Sequence, residues 1–389
     1  MKIYLIAGEP SGDLLGSRLM RAMTSKCENV SFFGVGGESM QREGLKSLFD
    51  ISDLAVMGLL EVVPSIPRVL KRIRQTVQNI QEVNPDIVIT IDSWSFSARI
   101  HKALRKLKLS IPQVHYVAPQ VWAWKKKRAR TMYKYIDHLL TLFPYEPKYF
   151  TPYRLEASFV GHPVIESPVI YGNSEDFRLR FNIEPNQKIM ALLPGSRKNE
   201  VARLLPVFLE AAEAFYQKNP EYVFVLPTVH TVENEVLKIT QKSNLPIIVV
   251  KTESDRHDAF CASDVAMAAS GTVALELAIV KVPHIIAYKV APLTAFLVRH
   301  FLKIQFVNLT NILLGREIVP ELLQENCSKE KILYYINEFV KKGDVYERQM
   351  EGFEKLKSVL GFGEQTPSAN ACDIILSLIK NRRKDVRKL

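Results

Sequence analysis

Residues 1–20 read MKIYLIAGEPSGDLLGSRLM. A short apolar strand, Ile3 to Ala7, runs into Gly8, Glu9, Pro10, Ser11, Gly12 and Asp13, after which an amphipathic helix begins. Strand, glycine turn and helix open many nucleotide-binding folds, where backbone N–H groups and the positive helix end receive a phosphate. Glu9 and Asp13 would repel phosphate. The purpose of their loop has to be sought in the rest of the chain.

Beyond residue 20 the same alternation repeats. Apolar, β-rich runs at 2–7, 30–34, 87–91, 113–116, 138–142 and 158–160 alternate with helical patterns such as 12–24 and 67–83. After a polar stretch near 171–186 the pattern restarts, with strands at 189–193, 222–226, 247–250, 265–268 and 284–287 and helices at 200–217 and 272–279. This alternation predicts an α/β chain whose doubly wound parallel sheets carry helices on both faces. Two such series predict two Rossmann-like domains, 1–170 and 171–343, facing each other across a cleft. Ligands would sit at the carboxyl ends of the strands, where strand order reverses. Residues 344–389 read as two helices, about 345–360 and 367–380, and a basic tail. These would pack back across the N-terminal domain or onto a partner chain, as in a homodimer.

The length of 389 residues exceeds one ordinary core, and 47% hydrophobic with 24% charged residues is a globular composition. No apolar run reaches the roughly 18 residues of a membrane span, and the N-terminal run is too short for a signal peptide. The expected location is therefore the cytosol. Cys27, Cys261, Cys327 and Cys372 are scattered without a C-x-x-C pair, which predicts reduced, structural thiols. A net charge of +11 favours a polyanionic partner: nucleic acid, an anionic membrane surface or a phosphorylated substrate. The Trp- and Lys-rich stretch 122–128 prompts a nucleic-acid reading, but no nucleic-acid module accompanies it, so that partner is not expected.

The second series begins with IMALLPGSRKNEVARLLPVF, residues 189–208. Its strand ends in Pro194-Gly195-Ser196-Arg197. Gly195 lets the backbone bend closely, Ser196 can cap the next helix, and Arg197 is placed to fork onto a phosphate. The same residues also suit an ordinary strand-to-helix turn with a surface arginine. A second turn, Ala269-Ser270-Gly271-Thr272, follows a buried strand and opens an apolar helix, so its N–H groups point at a common anion site. Glu276 lies one helical turn deeper on the same side, placed to accept the two hydroxyls of a ribose or, equally, to interact with the helix dipole. Two phosphate-type turns and an acid in one domain favour a nucleotide-diphosphate site. With that site in the second domain, the opening loop is free to carry acids.

Taken in order, AGEPSGD (7–13), FFGVGGESM (32–40), MGLLEV (57–62), HYVAPQVWAWKKKR (115–128), FVGHP (159–163), LLPGSR (192–197), ASGTVALE (269–276) and LTNILLGREIVPELLQ (309–324) resemble the lipid-A-disaccharide synthases, glycosyltransferases of the GT-B fold. The resemblance implies that Gly195, Ser196, Arg197, Ser270, Gly271 and Thr272 bind the diphosphate of a UDP-sugar and that Glu276 binds its ribose. Asn311, Glu321 and Gln324 match polar positions near the donor. The implied reaction joins UDP-2,3-diacylglucosamine to 2,3-diacylglucosamine 1-phosphate (lipid X), makes a β-1,6 disaccharide and releases UDP. An alternative of similar fold is a UDP-sugar 2-epimerase.

Where the family often reads I-D-[AS]-P-D-F-N, this chain has IDSWSFSARI, residues 91–100. Asp92 keeps the first acid, Ser95 replaces the second and Trp94 replaces the proline. Inverting transfer needs a base for the acceptor's 6-hydroxyl, opposite the departing diphosphate. Asp92 is the candidate, with Glu9 and Asp13 as substitutes on a loop at the same sheet edge. No D-x-D pair is present, so the reading requires neither metal nor cofactor, and Arg197 with the helix N-terminus supplies the positive charge. His115 and His162 end strands, where a structural hydrogen-bonding role is as natural as catalysis.

The acylated substrates need a route from a membrane. On a helix from residue 67, Val69, Leu70, Ile73, Val77 and Ile80 share an arc of about 100°, with Arg68, Lys71, Arg72 and Arg74 opposite. Met57, Leu59 and Leu60 precede them. Such a helix can lie on an anionic inner-membrane surface, and it can equally turn a core-facing stripe inward. Lys125–Arg128 and the basic tail would add electrostatic attachment.

Overall fold

Apolar residues run almost unbroken through the central strands because parallel strands are covered on both faces. The computed structural model describes residues 1–54, 59–119, 121, 126–269, 271–289 and 305–386, with the backbone alone at 59–65, 126 and 383–386. The chain divides into two units: Met1–Pro163 together with Glu364–Leu389, and Val164–Gly363.

In the first unit β1 (Lys2–Ala7), β2 (Ser31–Val35), β3 (Lys46–Ser47), β4 (Ile87–Ile91), β5 (Gln113–Tyr116), β6 (His138–Thr141) and β7 (Glu156–Phe159) form one parallel sheet in the order β3-β2-β1-β4-β5-β6-β7. The order reverses between β1 and β4, whose last residues Ala7 and Ile91 are paired. Helices α1 (Pro10–Lys26), α2 (Glu38–Arg42), α3 (Leu59–Val83), α4 (Trp94–Lys106) and α5 (Ala129–Met132) connect the strands.

Helix α3 turns its stripe inward. Ile73 and Ile80 are buried, and Val69 and Val77 are partly buried against Tyr4, Ile6, Val35 and Ile100. Ile73, expected at a membrane, is a core residue, and Val69, expected there too, packs against that core. Deep burial of β-branched side chains on the sheet outweighs any surface role. Leu70 and Ile66 do remain on the outside, 44% and 47% exposed. Met57 lies outside the described residues, and Leu59 and Leu60 are described by their backbone alone.

The second unit repeats the plan with β8 (Lys188–Leu193), β9 (Tyr222–Pro227), β10 (Ile247–Val250), β11 (Val265–Ala269), β12 (His284–Tyr288) and β13 (Glu321–Leu323), ordered β10-β9-β8-β11-β12-β13. Its order reverses between β8 and β11, where Leu193 pairs with Ala268. Helices α6 (Ser174–Arg180), α7 (Lys198–Tyr216), α8 (Glu233–Thr240), α9 (Glu253–Ala262), α10 (Val273–Ile279), α11 (Leu309–Leu314), α12 (Lys329–Val340) and α13 (Asp344–Val359) complete it. The edge strands β3 and β13 are too short to show a sequence period.

The C-terminal segment is shared between the units. Gln349 on α13 accepts from the His284 N–H at 2.8 Å and donates to the carbonyls of His284 and Ile318, which ties α13 to β12. The last helix, α14 (Pro367–Val386), buries Ala371, Cys372, Ile375 and Ile379 in the first unit's core, and Asn370 Nδ2 donates to the Val160 carbonyl at 3.1 Å. Lys26 and Asp373 pair at 2.6 Å beside this contact.

Candidate functional site

Glu9 occupies the N-cap position of α1 in extended conformation (φ −146°, ψ 157°), and Pro10 fills the first helical position, where its missing N–H has no intrahelical acceptor to lose. Next to it β4 turns into α4 through Asp92 and Ser93, both in the left-handed region (φ 55° and 44°). Such conformations store about 1–3 kcal/mol per residue and persist where surrounding bonds enforce them. Here the Ser93 N–H donates to Asp92 Oδ1 at 2.7 Å, and Ser93 Oγ donates to Glu9 Oε1 at 2.6 Å. Ser93 thus links two carboxylates at the point where strand order reverses. Partial burial is the main cause holding the Asp92 carboxyl above its ordinary pKa. The Ser93 N–H works against the shift, and the charge of Glu9 adds to it. Ser95, in the place of the family's second acid, is exposed.

Asp13 has a different task. It is 4% exposed, and its carboxylate accepts from the N–H groups of Gly37 (2.7 Å), Ser39 (2.8 Å) and Met40 (3.1 Å). It caps α2 from a neighbouring element. A Cβ on Gly37 would lie 2.8 Å from Asp13 Oδ2, so glycine is what admits the carboxylate. The expectation that Asp13 serves as a base is corrected: three amides already engage it.

The histidines are structural too. Thr90 Oγ1 lies 2.7 Å from both His101 Nε2 and His115 Nδ1, and His101 Nδ1 lies 2.8 Å from Gln113 Oε1. Burial pushes His101 down to about 4 and His115 well below the usual range, so both stay neutral and lock α4 to β4 and β5. Trp94 lies over His115 with ring centroids 4.7 Å apart. His162 stacks on Phe143 at 5.1 Å, and burial pushes it down to about 3. One buried carboxyl belongs to no motif of the sequence. Glu146, between Tyr145 and Pro147, accepts the N–H groups of Leu142 and Phe143 at 3.0 Å each, and burial raises it to about 7.

In the second unit Gly195 has φ 110°, and a Cβ there would fall 2.4 Å from Glu200 Oε2. That oxygen accepts from the N–H groups of Ser196 (3.2 Å) and Arg197 (3.3 Å), while Oε1 takes Arg197 Nη1 at 3.1 Å. The turn is built to hold an anion and here holds its own, in one half of a capping box. The Arg197 side chain is 75% exposed. Across the reversal, at the end of β11, a Cβ on Gly271 would meet nothing within 4 Å, so this glycine borders open space. Thr272 leads into α10, and Ser270 lies outside the described residues. One turn into α10, Glu276 Oε1 accepts from Ser167 Oγ at 2.9 Å.

Asn311 and Glu321 are occupied elsewhere. Asn311 is fully buried. Its Oδ1 accepts from the N–H groups of Ile318 and Val319, and its Nδ2 donates to the Val319 carbonyl and to Glu321. Glu321 also accepts from the N–H groups of Val307 and Asn308 at 2.9 Å each. All four hydrogen-bonding positions of the Asn311 amide are filled, so both residues shape the segment before β13 rather than offering free groups to a donor. This corrects their expected role. Gln324, at φ 54°, lines a cavity of about 570 Å³ with Arg203 and Lys289. Among the described residues no three His, Cys, Asp or Glu side chains are grouped to hold a metal ion, and no helix is long and apolar enough to cross a membrane.

The lipid-A-disaccharide synthetase family model matches residues 3–375. The chain belongs to this family. A lipid-A-disaccharide synthase of Paramagnetospirillum magneticum is 44% identical over 387 residues, covering 99% of each chain, and one of Rhodospirillum centenum is 44% identical over 381 residues, covering 98% of this chain and 95% of the relative. Solved structures share the GT-B fold at low identity. The UDP-GlcNAc 2-epimerase of Neisseria meningitidis bound to UDP-GlcNAc gives a TM-score of 0.63 at 13% identity, covering 98% of this chain and all of that one. MurG of Acinetobacter baumannii gives 0.54 at 14% identity, covering 98% and 99%. At these identities the epimerase likeness is one of fold, whereas the family match identifies a lipid-A-disaccharide synthase, a glycosyltransferase of lipid A biosynthesis.

Replacing Asp13 by Asn leaves one of the α2 amides facing an NH₂ group, so the expected loss is about 1–3 kcal/mol of stability. Trp94, Trp122 and Trp124 all precede residue 164. Tryptophan fluorescence therefore reads the first unit, and its urea midpoint should fall while UDP affinity holds. An unchanged midpoint contradicts the capping role.

Proposed function

We propose that this synthase transfers the acylated glucosamine of UDP-2,3-diacylglucosamine to the 6-hydroxyl of 2,3-diacylglucosamine 1-phosphate. The family match across residues 3–375 carries the reading, and the furnishing of the two reversal points supports it. In the first unit Asp92 takes the hydroxyl proton as O6 bonds to the anomeric carbon and the bond to UDP breaks. Burial raises its pKa, which makes it a stronger base than an exposed aspartate. Glu9, held by Ser93, tunes that base and faces the acceptor. In the second unit the Gly195–Arg197 and Gly271–Thr272 turns receive the diphosphate, which displaces Glu200 from the amides, and Arg197 neutralises the leaving charge. Glu276 takes the ribose and Gln324 the donor sugar. The reading uses no metal ion and no cofactor.

Substrate access follows from α3, whose outer face presents Ile66 and Leu70 with Arg68, Lys71 and Arg74. These suit peripheral attachment to the cytoplasmic face of an anionic membrane.

Radiolabelled UDP-2,3-diacylglucosamine incubated with and without lipid X should release UDP only when the acceptor is present; turnover without acceptor overturns transfer in favour of epimerisation. In the same assay Asp92→Asn should lower kcat by roughly 10²–10⁴-fold and Arg197→Ala by roughly 10²-fold or more, with the fold intact. Near wild-type turnover of either variant removes that residue from the mechanism.

A pH profile examines the coupling of the acids. The rate should rise with pH as Asp92 loses its proton. Glu9→Gln removes a like charge that opposes ionisation, so the acid limb should move to lower pH. A limb that stays in place separates Glu9 from the base.

Leu70→Glu should reduce co-sedimentation with phosphatidylglycerol vesicles and leave binding of soluble UDP unchanged. Undiminished sedimentation would exclude α3 as the contact.

A further inference from the structure

The assignment of the ribose to Glu276 leaves open how a flexible glutamate is held ready for a diol. A carboxylate that receives two neighbouring hydroxyls has to present its oxygens in one orientation, and ordering a glutamate side chain costs rotamer entropy. Ser167 is 5% exposed and donates its Oγ hydrogen to Glu276 Oε1 at 2.9 Å. The same Oγ accepts, at a longer 3.5 Å, from the Val169 N–H at the start of the turn Pro168–Tyr171. With its lone pair turned to Val169, the hydroxyl hydrogen points at the carboxylate.

The segment that carries Ser167 is itself fastened down. Cys261 Sγ donates to the Val169 carbonyl at 3.1 Å, and a Cβ on Gly172 would lie 2.7 Å from both Cys261 Sγ and the His257 carbonyl. The chain from 167 to 172 is thereby seated on α9, and Ser167 has a fixed origin from which to hold Glu276. The bond takes one lone pair of Oε1. Glu276 is half-buried, Ser167 is the hydrogen-bond donor to its carboxylate among the described residues, and the His257 ring lies near enough to feel its charge.

We propose that Ser167 is a positioning residue for the donor, holding Glu276 in the orientation that receives the 2′- and 3′-hydroxyls of a uridine nucleotide. The inference rests on the ribose reading of Glu276 and deepens it. Ser167 touches no substrate. Its effect is read through the ribose hydroxyls alone, which distinguishes it from a residue that merely supports the fold.

The test measures binding of UDP and of 2′,3′-dideoxy-UDP to the full chain by calorimetry. Ser167→Ala should weaken UDP by about 3- to 10-fold, the equivalent of one modest hydrogen bond. It should leave the dideoxy nucleotide within about twofold of wild type. Ser167→Cys, of similar volume with a weak donor, should fall between, and serves if the alanine variant does not fold. Equal weakening of both nucleotides, or no weakening of either, overturns the proposal. Glu276→Ala locates the failure. If it abolishes the preference for UDP while Ser167→Ala preserves it, positioning by Ser167 is wrong and the ribose reading stands. If Glu276→Ala keeps the preference, the ribose reading itself falls and the proposal falls with it.

Discussion

The reversal of strand order inside each parallel sheet is the constraint on which the rest of this molecule depends. Where β1 meets β4, and again where β8 meets β11, the connections that follow the two strands leave the sheet in opposite directions at its carboxyl edge. Backbone N–H groups and short polar side chains collect there because nothing else in the sheet satisfies them. One fold used twice therefore yields two such edges, and their chemistry differs by what the turns carry. The first has coupled acids, Glu9 and Asp92, joined through Ser93. The second has glycine-rich turns with exposed amides and Arg197. The proposed transfer draws on that division, with a base for the incoming alcohol and positive groups for the departing diphosphate.

Carboxylates on backbone amides recur through the structure. Asp13 holds three N–H groups, Glu200 and Glu146 two each, and Glu321 two with an Asn311 amide besides. A buried or half-buried carboxylate needs several donors, and the unpaired N–H groups at turns and helix starts supply them. The two acids of the opening loop thus part company. Asp13 is an internal cap, and Glu9 is left at the edge. At Gly195–Arg197 the internal carboxylate has a second meaning, since amides that can hold Glu200 are arranged for an anion.

Helices α3 and α14 show how burial divides a sequence pattern between roles. In α3 the β-branched positions 73 and 80 go into the core, while Ile66 and Leu70 stay outside among cations. The closing helix α14 completes the first unit's core with Ile375 and Ile379, far in sequence from the strands it covers.

Much of this architecture was legible in the residues alone. Apolar runs such as Ile3–Ala7 and Ile87–Ile91, spaced by helical patterns, determine parallel sheets because strands buried on both faces admit few polar side chains. The turns at 8–13, 195–197 and 271–272 were equally readable, since glycine and capping residues at a strand's end have few other uses. What only the tertiary structure decided is which polar groups are free. Asn311, Glu321 and Asp13 carry the right chemistry for a site, but partners 7 to 27 residues away fill their hydrogen-bonding capacity. The link from Ser167 to Glu276 spans 109 residues and leaves no local trace. Hydrogen bonds between distant segments are set by how the sheet brings strand ends together. A sequence determines that a carboxylate exists, and the fold decides whether it is still available.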